Sequence, residues 1–293
     1  MTVLSTPAAS AAVEQCRIIT RDRARNFYYG LKLLPEPERS ALFVIYAWMR
    51  TADDLVDDAS HPAAETRTRL EALRVATVAA CAGQPADDDP IMRALADVAT
   101  RFDLDVTHFH AMIDGQLADL GQVRYERFDD LRRYCEQVAS SVGLACISIW
   151  GYQDDRAPRR AVDRGIAFQL TNILRDFAED FGRGRVYLPR EDFDRHGLTP
   201  EILNAGSDER IEPFLVEQID RVESYYRAAR DLTTMVTPSC RPTLWAMTEI
   251  YQGLLRRMRR EPERIVRGPR VRLSALTKSA IALKARWQAR ADR

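Results

Sequence analysis

The chain has 293 residues, 46% of them hydrophobic and 29% charged, with 43 basic and 43 acidic side chains in balance. A zero net charge gives no global field for nucleic acid, so no nucleic-acid partner is expected. No uninterrupted apolar run approaches the roughly 18–20 residues of a membrane span, and five cysteines without a C-x-x-C spacing favour neither zinc nor a disulfide framework, which points to a reducing cytoplasm.

In chain order, residues 1–13 read as a disordered tail. They are small and polar, with no basic stretch followed by the apolar stretch of a signal peptide. The remainder, 14–293, reads as one all-α domain, because helical apolar spacing recurs and Pro and Gly fall at breaks. An aromatic group follows at Phe27, Tyr28 and Tyr29, joined by Phe43, Tyr46 and Trp48. A helix is predicted from Glu36 to Asp58, buried through Phe43, Val44, Ala47, Met49 and Leu55. It ends in TADDLVDD, where Asp53 and Asp57 share one face at i and i+4 with Cβ atoms roughly 5–6 Å apart. Four carboxylates at the negative end of a helix dipole cost stability unless a cation compensates.

The pattern predicts a second helix over Arg67 to Ala82, closed by GQPADDDP, whose acidic run reads as a solvated loop. Further helices are predicted over Asp89 to Phe102, Thr107 to Leu120, Asp129 to Ile149 and Pro158 to Glu179. In the last, Gln169, Asn172, Asp176 and Asp180 form a polar line between Ile166, Phe168, Leu170, Ile173, Leu174 and Phe177. Buried in a core, those amides and carboxylates would lack partners, so they fit the lining of a polar cavity. GRGR then ends the helix and brings Arg183 and Arg185 near the acids. It is no dinucleotide fingerprint, because no strand precedes it. Two carboxylate pairs with nearby arginines suit Mg2+, which keeps waters and takes one or two carboxylates plus phosphate oxygens. A metal-bridged diphosphate is a good leaving group, and apolar and aromatic walls can stabilise the carbocation left behind. Finally, Leu254 to Leu273 holds eight arginines and is a candidate for peripheral contact with an anionic membrane, against the simpler reading of a solvated helix face.

NFYYGLKLLP (26–35), YAWMRTADDLVDD (46–58), YCEQVASSVG (134–143) and QLTNILRDFAEDFGRGRVYLP (169–189) together resemble the squalene and phytoene synthases, which join two prenyl diphosphates head to head. That resemblance implies a single-domain isoprenoid-synthase bundle around a central cavity. It implies Asp53, Asp57, Asp176, Asp180 and Asn172 as ligands of Mg2+, with Mn2+ as the alternative ion. Arg50 is then a diphosphate-binding and catalytic arginine, Gln169 and Arg175 position metal and phosphates, and Phe27 and Tyr46 line the cavity. Arg185 and Tyr187 fall in the RVYLP stretch, and Tyr251 with the basic patch Arg267, Arg270 and Arg272 adds diphosphate contacts. Many relatives carry an aromatic residue at the third or fourth place of YCxxVA, where this chain has Glu136 and Gln137. The expected activity is condensation of two farnesyl diphosphates to presqualene diphosphate, with squalene as the onward product, NADPH use left open and downstream isoprenoid enzymes as candidate partners. Phe43, Trp48 and the ACISIWG stretch ending at Trp150 favour that C15 substrate. The alternatives are a phytoene synthase using two geranylgeranyl diphosphates and a non-catalytic scaffold of the same fold.

Overall fold

The computed structural model describes residues 7–24, 27–58, 60–86, 88–121 and 123–291, which form α-helices and, among those residues, no strand. The first half contains α1 (Pro7–Arg23), α2 (Phe27–Leu31), α3 (Glu38–Asp57), α4 (Ala63–Cys81), α5 (Pro90–Phe102) and α6 (Val106–Ala118). Then come α7 (Phe128–Cys135), a π-helical turn over Glu136–Ser140, α8 (Ser141–Trp150) and the 26-residue α9 (Ala157–Gly182). The chain closes with α10 (Arg190–His196), α11 (Pro200–Ala205), α12 (Ile211–Ala228), α13 (Leu232–Met235), α14 (Arg241–Arg260) and α15 (Ala275–Ala291).

Most predicted helices are present with ends moved by a few residues, and local chemistry explains the ends. Asp89, the last residue of the acidic run and the first of its predicted helix, caps α5: its carboxylate accepts from the backbone N–H groups of Ile91 and Met92 at 2.8 and 3.1 Å, with Pro90 in the first turn. Asp87 lies outside the described residues. Two expectations need correction. Pro7 to Val13, expected in a disordered tail, begin α1, and Ala12 and Val13 are buried because α1 packs on α3 and α5. The single helix expected over Asp129 to Ile149 is interrupted by the π-turn, an extra-residue bulge of the kind that recurs at functional sites.

Two apolar clusters build the interior. One joins α1, α3, α4, α5, α6 and α8; the other joins α7, α9, α12 and α14. Side chains of both clusters line one cavity of about 680 Å³, so the cavity occupies their seam. No helix among the described residues is long and apolar enough to cross a membrane.

Candidate active site

α3 presents Tyr46, Met49, Arg50, Asp53 and Asp57 to the cavity, and α9 presents Phe168, Gln169, Asn172, Asp176 and Asp180. Tyr46 to Asp57 on α3, and Gln169 to Asp180 on α9, follow the i, i+3/i+4, i+7, i+11 spacing of one helix face, so each stripe is a consequence of local sequence alone. Their meeting in one void is a consequence of packing.

On α3, Arg50 is held among three carboxylates: it pairs closely with Asp54 and lies 3.9 Å from Asp53 and 3.6 Å from Asp57. Its buried Nε has no hydrogen-bond partner. Asp53 accepts from Gln116 Nε2 at 2.6 Å. Desolvation, opposed by Arg50 and reinforced by Asp57, pushes the Asp53 carboxyl up to about 6. On α9, both oxygens of Asp176 are taken twice over: Arg175 donates at 2.8 and 2.6 Å, and Arg270, 94 residues away, at 2.5 and 2.7 Å. Asp180 is also pushed up to about 6, first by desolvation and then by Asp176, with Arg185 lowering it. Asn172 donates to Gln169 at 3.4 Å, while its buried Oδ1 has no partner.

Tyr187, Tyr251, Arg270 and Arg272 also line the cavity, and Tyr251 stacks on Phe168 with ring centroids 4.4 Å apart. Several anticipated residues do not reach it. Trp48 is buried elsewhere, donating to Thr77 at 2.8 Å and lying edge-on to Phe109. Phe43 stacks on Tyr28 at a separate surface cleft. Arg267 packs against Gly206, Arg183 pairs with Glu179 at 2.8 Å, and Arg185 acts on Asp180 and Asp119 without lining the void. The side chains of Phe27 and Tyr29 lie outside the described ones.

Sequence reasoning missed a third acidic position. Asp119, just past α6, faces the cavity and accepts from the hydroxyls of Tyr134 at 2.8 Å and Tyr187 at 3.1 Å, whose rings are 5.3 Å apart. Burial raises its carboxyl above the usual range, against the lowering effect of the two tyrosines and Arg185. The available signal was Gln116 and Asp119 at i and i+3, two polar residues on the helix face that also carries the apolar Met112. The π-turn settles which residues of YCEQVA matter here: Tyr134, Val138 and Ala139 line the cavity, whereas Glu136 pairs with Arg132 at 2.5 Å outside it.

Among the described residues no three acidic, histidine or cysteine side chains converge closely enough to hold a metal ion alone. The donor set nevertheless fits a hard cation whose remaining ligands come from a bound phosphate: two raised carboxyls, two further carboxylates and the partnerless Asn172 oxygen border one space.

Residues 20–277 match the squalene/phytoene synthase family. The chain is 38% identical over 260 residues to 15-cis-phytoene synthase of Synechococcus elongatus, covering 84% of this chain and 83% of that one. It is 37% identical over 274 residues to phytoene synthase of Mycobacterium tuberculosis, covering 91% and 88%. Among solved structures, a dehydrosqualene synthase in complex with ligand superposes with a TM-score of 0.86 at 26% identity, covering 97% of this chain and 98% of that one. A squalene synthase from Alicyclobacillus acidocaldarius gives 0.80 at 26% identity, covering 86% and 95%.

Proposed function

The chain belongs to the squalene/phytoene synthase family, and on that premise we propose that it condenses two geranylgeranyl diphosphates head to head, through a cyclopropyl diphosphate, to phytoene. The observation that carries this reading is the division of one cavity into an acid-and-arginine end and an apolar remainder lined by Met112, Val142, Cys146, Ile147, Trp150 and Leu244. The polar end suits diphosphate departure; the apolar remainder excludes water from a carbocation.

Of the residues expected to favour the C15 substrate, Phe43 and Trp48 lie outside the cavity, whereas Trp150 at the end of ACISIWG lines it, so only that stretch bears on tail length. The phytoene synthases among the relatives favour C20. The C15 route through presqualene diphosphate remains the second reading, favoured by the likeness to dehydrosqualene and squalene synthases. The two differ in balance as well as length. Joining two C20 diphosphates to phytoene releases two diphosphates and two protons and needs no reductant, whereas squalene formation adds a hydride, hence NADPH.

Asp53, Asp57, Asn172, Asp176 and Asp180 would hold Mg2+, or Mn2+ in its place. When bound, the ion neutralises charge developing on the departing diphosphate. Arg50, Arg175 and Arg270 turn from carboxylate to diphosphate, a like-for-like exchange because a guanidinium fork fits either anion in bidentate fashion. Asp119 holds the phenols of Tyr134 and Tyr187 in place at the cavity wall.

Purified chain incubated with Mg2+ and either the C15 or the C20 diphosphate, with and without NADPH, tests the reading by mass spectrometry. A C40 hydrocarbon formed without NADPH is the expected product. Preferential formation of a C30 product would transfer the assignment to the second reading, and no condensation with either substrate would favour a scaffold.

A pH effect follows from Asp53 and Asp180. Both carboxyls stand at about 6, above their ordinary 3.8, so near pH 6 each is partly protonated and must lose that proton to hold a cation. Titrating the protein with Mg2+ and inorganic diphosphate in buffers of different ionisation enthalpy should show proton release of order one per site near pH 6, vanishing by about pH 8. Release that is constant across this window would contradict the role given to these two carboxyls.

A further inference from the structure

α15 has two faces of opposite purpose. Inward, it packs on α14 and α2, with Ala285 buried, Ile281 half-buried and Lys278 on the cavity wall. Outward, Leu276, Leu283 and Trp287 are 83, 71 and 69% exposed, three of the four most exposed large hydrophobic residues among those described. With exposed Ala280 between them they fall at i, i+4, i+7 and i+11, a continuous apolar stripe along one face. A soluble helix packed on one side places polar residues on the other, so a stripe here marks a surface that meets something apolar.

The flanks identify it. Helical spacing sets Lys284 to one side of the stripe, where its ammonium lies 5.3 Å from the centre of the Trp245 ring on α14, and Arg286 to the other; both are exposed, and no Asp or Glu occurs from 275 to 291. Four of the eight arginines of the preceding run are held in ion pairs: Arg256 with Glu249, Arg259 with Asp220 and Glu223, Arg264 with Glu261, and Arg270 with Asp176. Leu254, Leu255 and Met258 of that run are buried in α14, so the membrane contact anticipated for 254–273 has no apolar face there. Self-pairing through α15 would bring the same cations together with no carboxylate of the helix between them. A leucine and tryptophan stripe with basic residues at its margins is the arrangement of a helix lying in a lipid headgroup layer.

We propose that the outer face of α15 seats the protein on an anionic bilayer, with Leu276, Leu283 and Trp287 in the headgroup boundary and Lys284 and Arg286 on lipid phosphates. The segment Arg270 to Leu273, which lines the cavity, leads directly into this helix. Seating therefore brings that wall of the cavity toward the lipid, from which a prenyl tail can enter and a hydrocarbon product leave. Only this purpose depends on the proposed activity; the contact itself does not.

Flotation of the full chain with phosphatidylglycerol–phosphatidylcholine vesicles, and with phosphatidylcholine alone, tests it without turnover. The chain should float with the anionic vesicles, lose binding at high salt, and bind neutral vesicles far less. Combined Leu276→Ser, Leu283→Ser and Trp287→Ser, and separately Lys284→Glu with Arg286→Glu, should each cut partitioning by at least about tenfold, with melting temperatures near that of the unaltered chain. Failure to float, equal binding to neutral vesicles, or undiminished flotation of either variant would overturn the proposal. So would light scattering that shows a dimer dissolved by the triple substitution, which would make the stripe an interface between copies.

Discussion

Replacing Asp176 by alanine should lower turnover by about 10²–10³-fold, the scale of removing one preorganised electrostatic group at a site of developing charge. Asp176 sits between two guanidinia, each bound in bidentate fashion, at the centre of the α9 stripe. Its removal deletes a carboxylate from the cation's donor set. It also leaves Arg175, whose side chain is only 11% exposed, with an uncompensated charge, a loss that costs about 3–5 kcal/mol when a buried pair is broken from one side. The two effects separate experimentally. Asp176→Asn keeps the volume and an acceptor oxygen, so it should retain more of the stability while losing comparable turnover. Adding Arg270→Ala to Asp176→Ala should recover part of the stability and none of the activity, a non-additivity expected of residues sharing one network. Single-turnover rates and thermal melts on the same samples decide the matter: turnover within tenfold of the parent for Asp176→Ala would remove this stripe from the reaction.

Gly165→Ala should destabilise the fold by about 1–3 kcal/mol, the usual cost of overpacking, and lower the melting temperature by about 2–10 °C. A Cβ at Gly165 would stand 2.5 Å from Ser140 Cα and 2.7 Å from both its N and its Oγ, where α9 crosses the π-turn. The obstacle includes backbone, so no rotamer change relieves it, and the 2.8 Å bond from Ser140 Oγ to the Val162 carbonyl lies in the same contact. The sign is the informative part, because alanine normally favours a helix over glycine by roughly 0.5–1 kcal/mol. A Cβ at Gly182, at the end of the same helix, would meet nothing within 4 Å, so Gly182→Ala should be neutral or slightly stabilising. Equal melting temperatures for the two variants would mean that the α9 and π-turn contact is looser than described. The crossing also matters to the site, since it holds Tyr134 and Val138 against the wall that carries Gln169 and Asn172.

What the sequence determined by itself was whatever depends on neighbours a few residues apart. Helical periodicity placed Asp53 with Asp57, and Gln169, Asn172, Asp176 and Asp180 together, because residues at i, i+4 and i+7 share a face whatever the helix packs against. The family motifs added Arg50, Arg175 and Tyr251, all of which reach the cavity. Tertiary structure decided which face of each helix borders the void. Trp48 and Phe43 occupy α3 as surely as Tyr46 does, yet they point into other contacts, because apolar spacing marks a residue as buried without saying against which neighbour. It also decided every partnership between distant segments: Asp119 with Tyr134 and Tyr187, Arg270 with Asp176, and the π-turn against Gly165. Such contacts form only when the two apolar clusters close on each other, and no local pattern encodes the register at which separate helices cross.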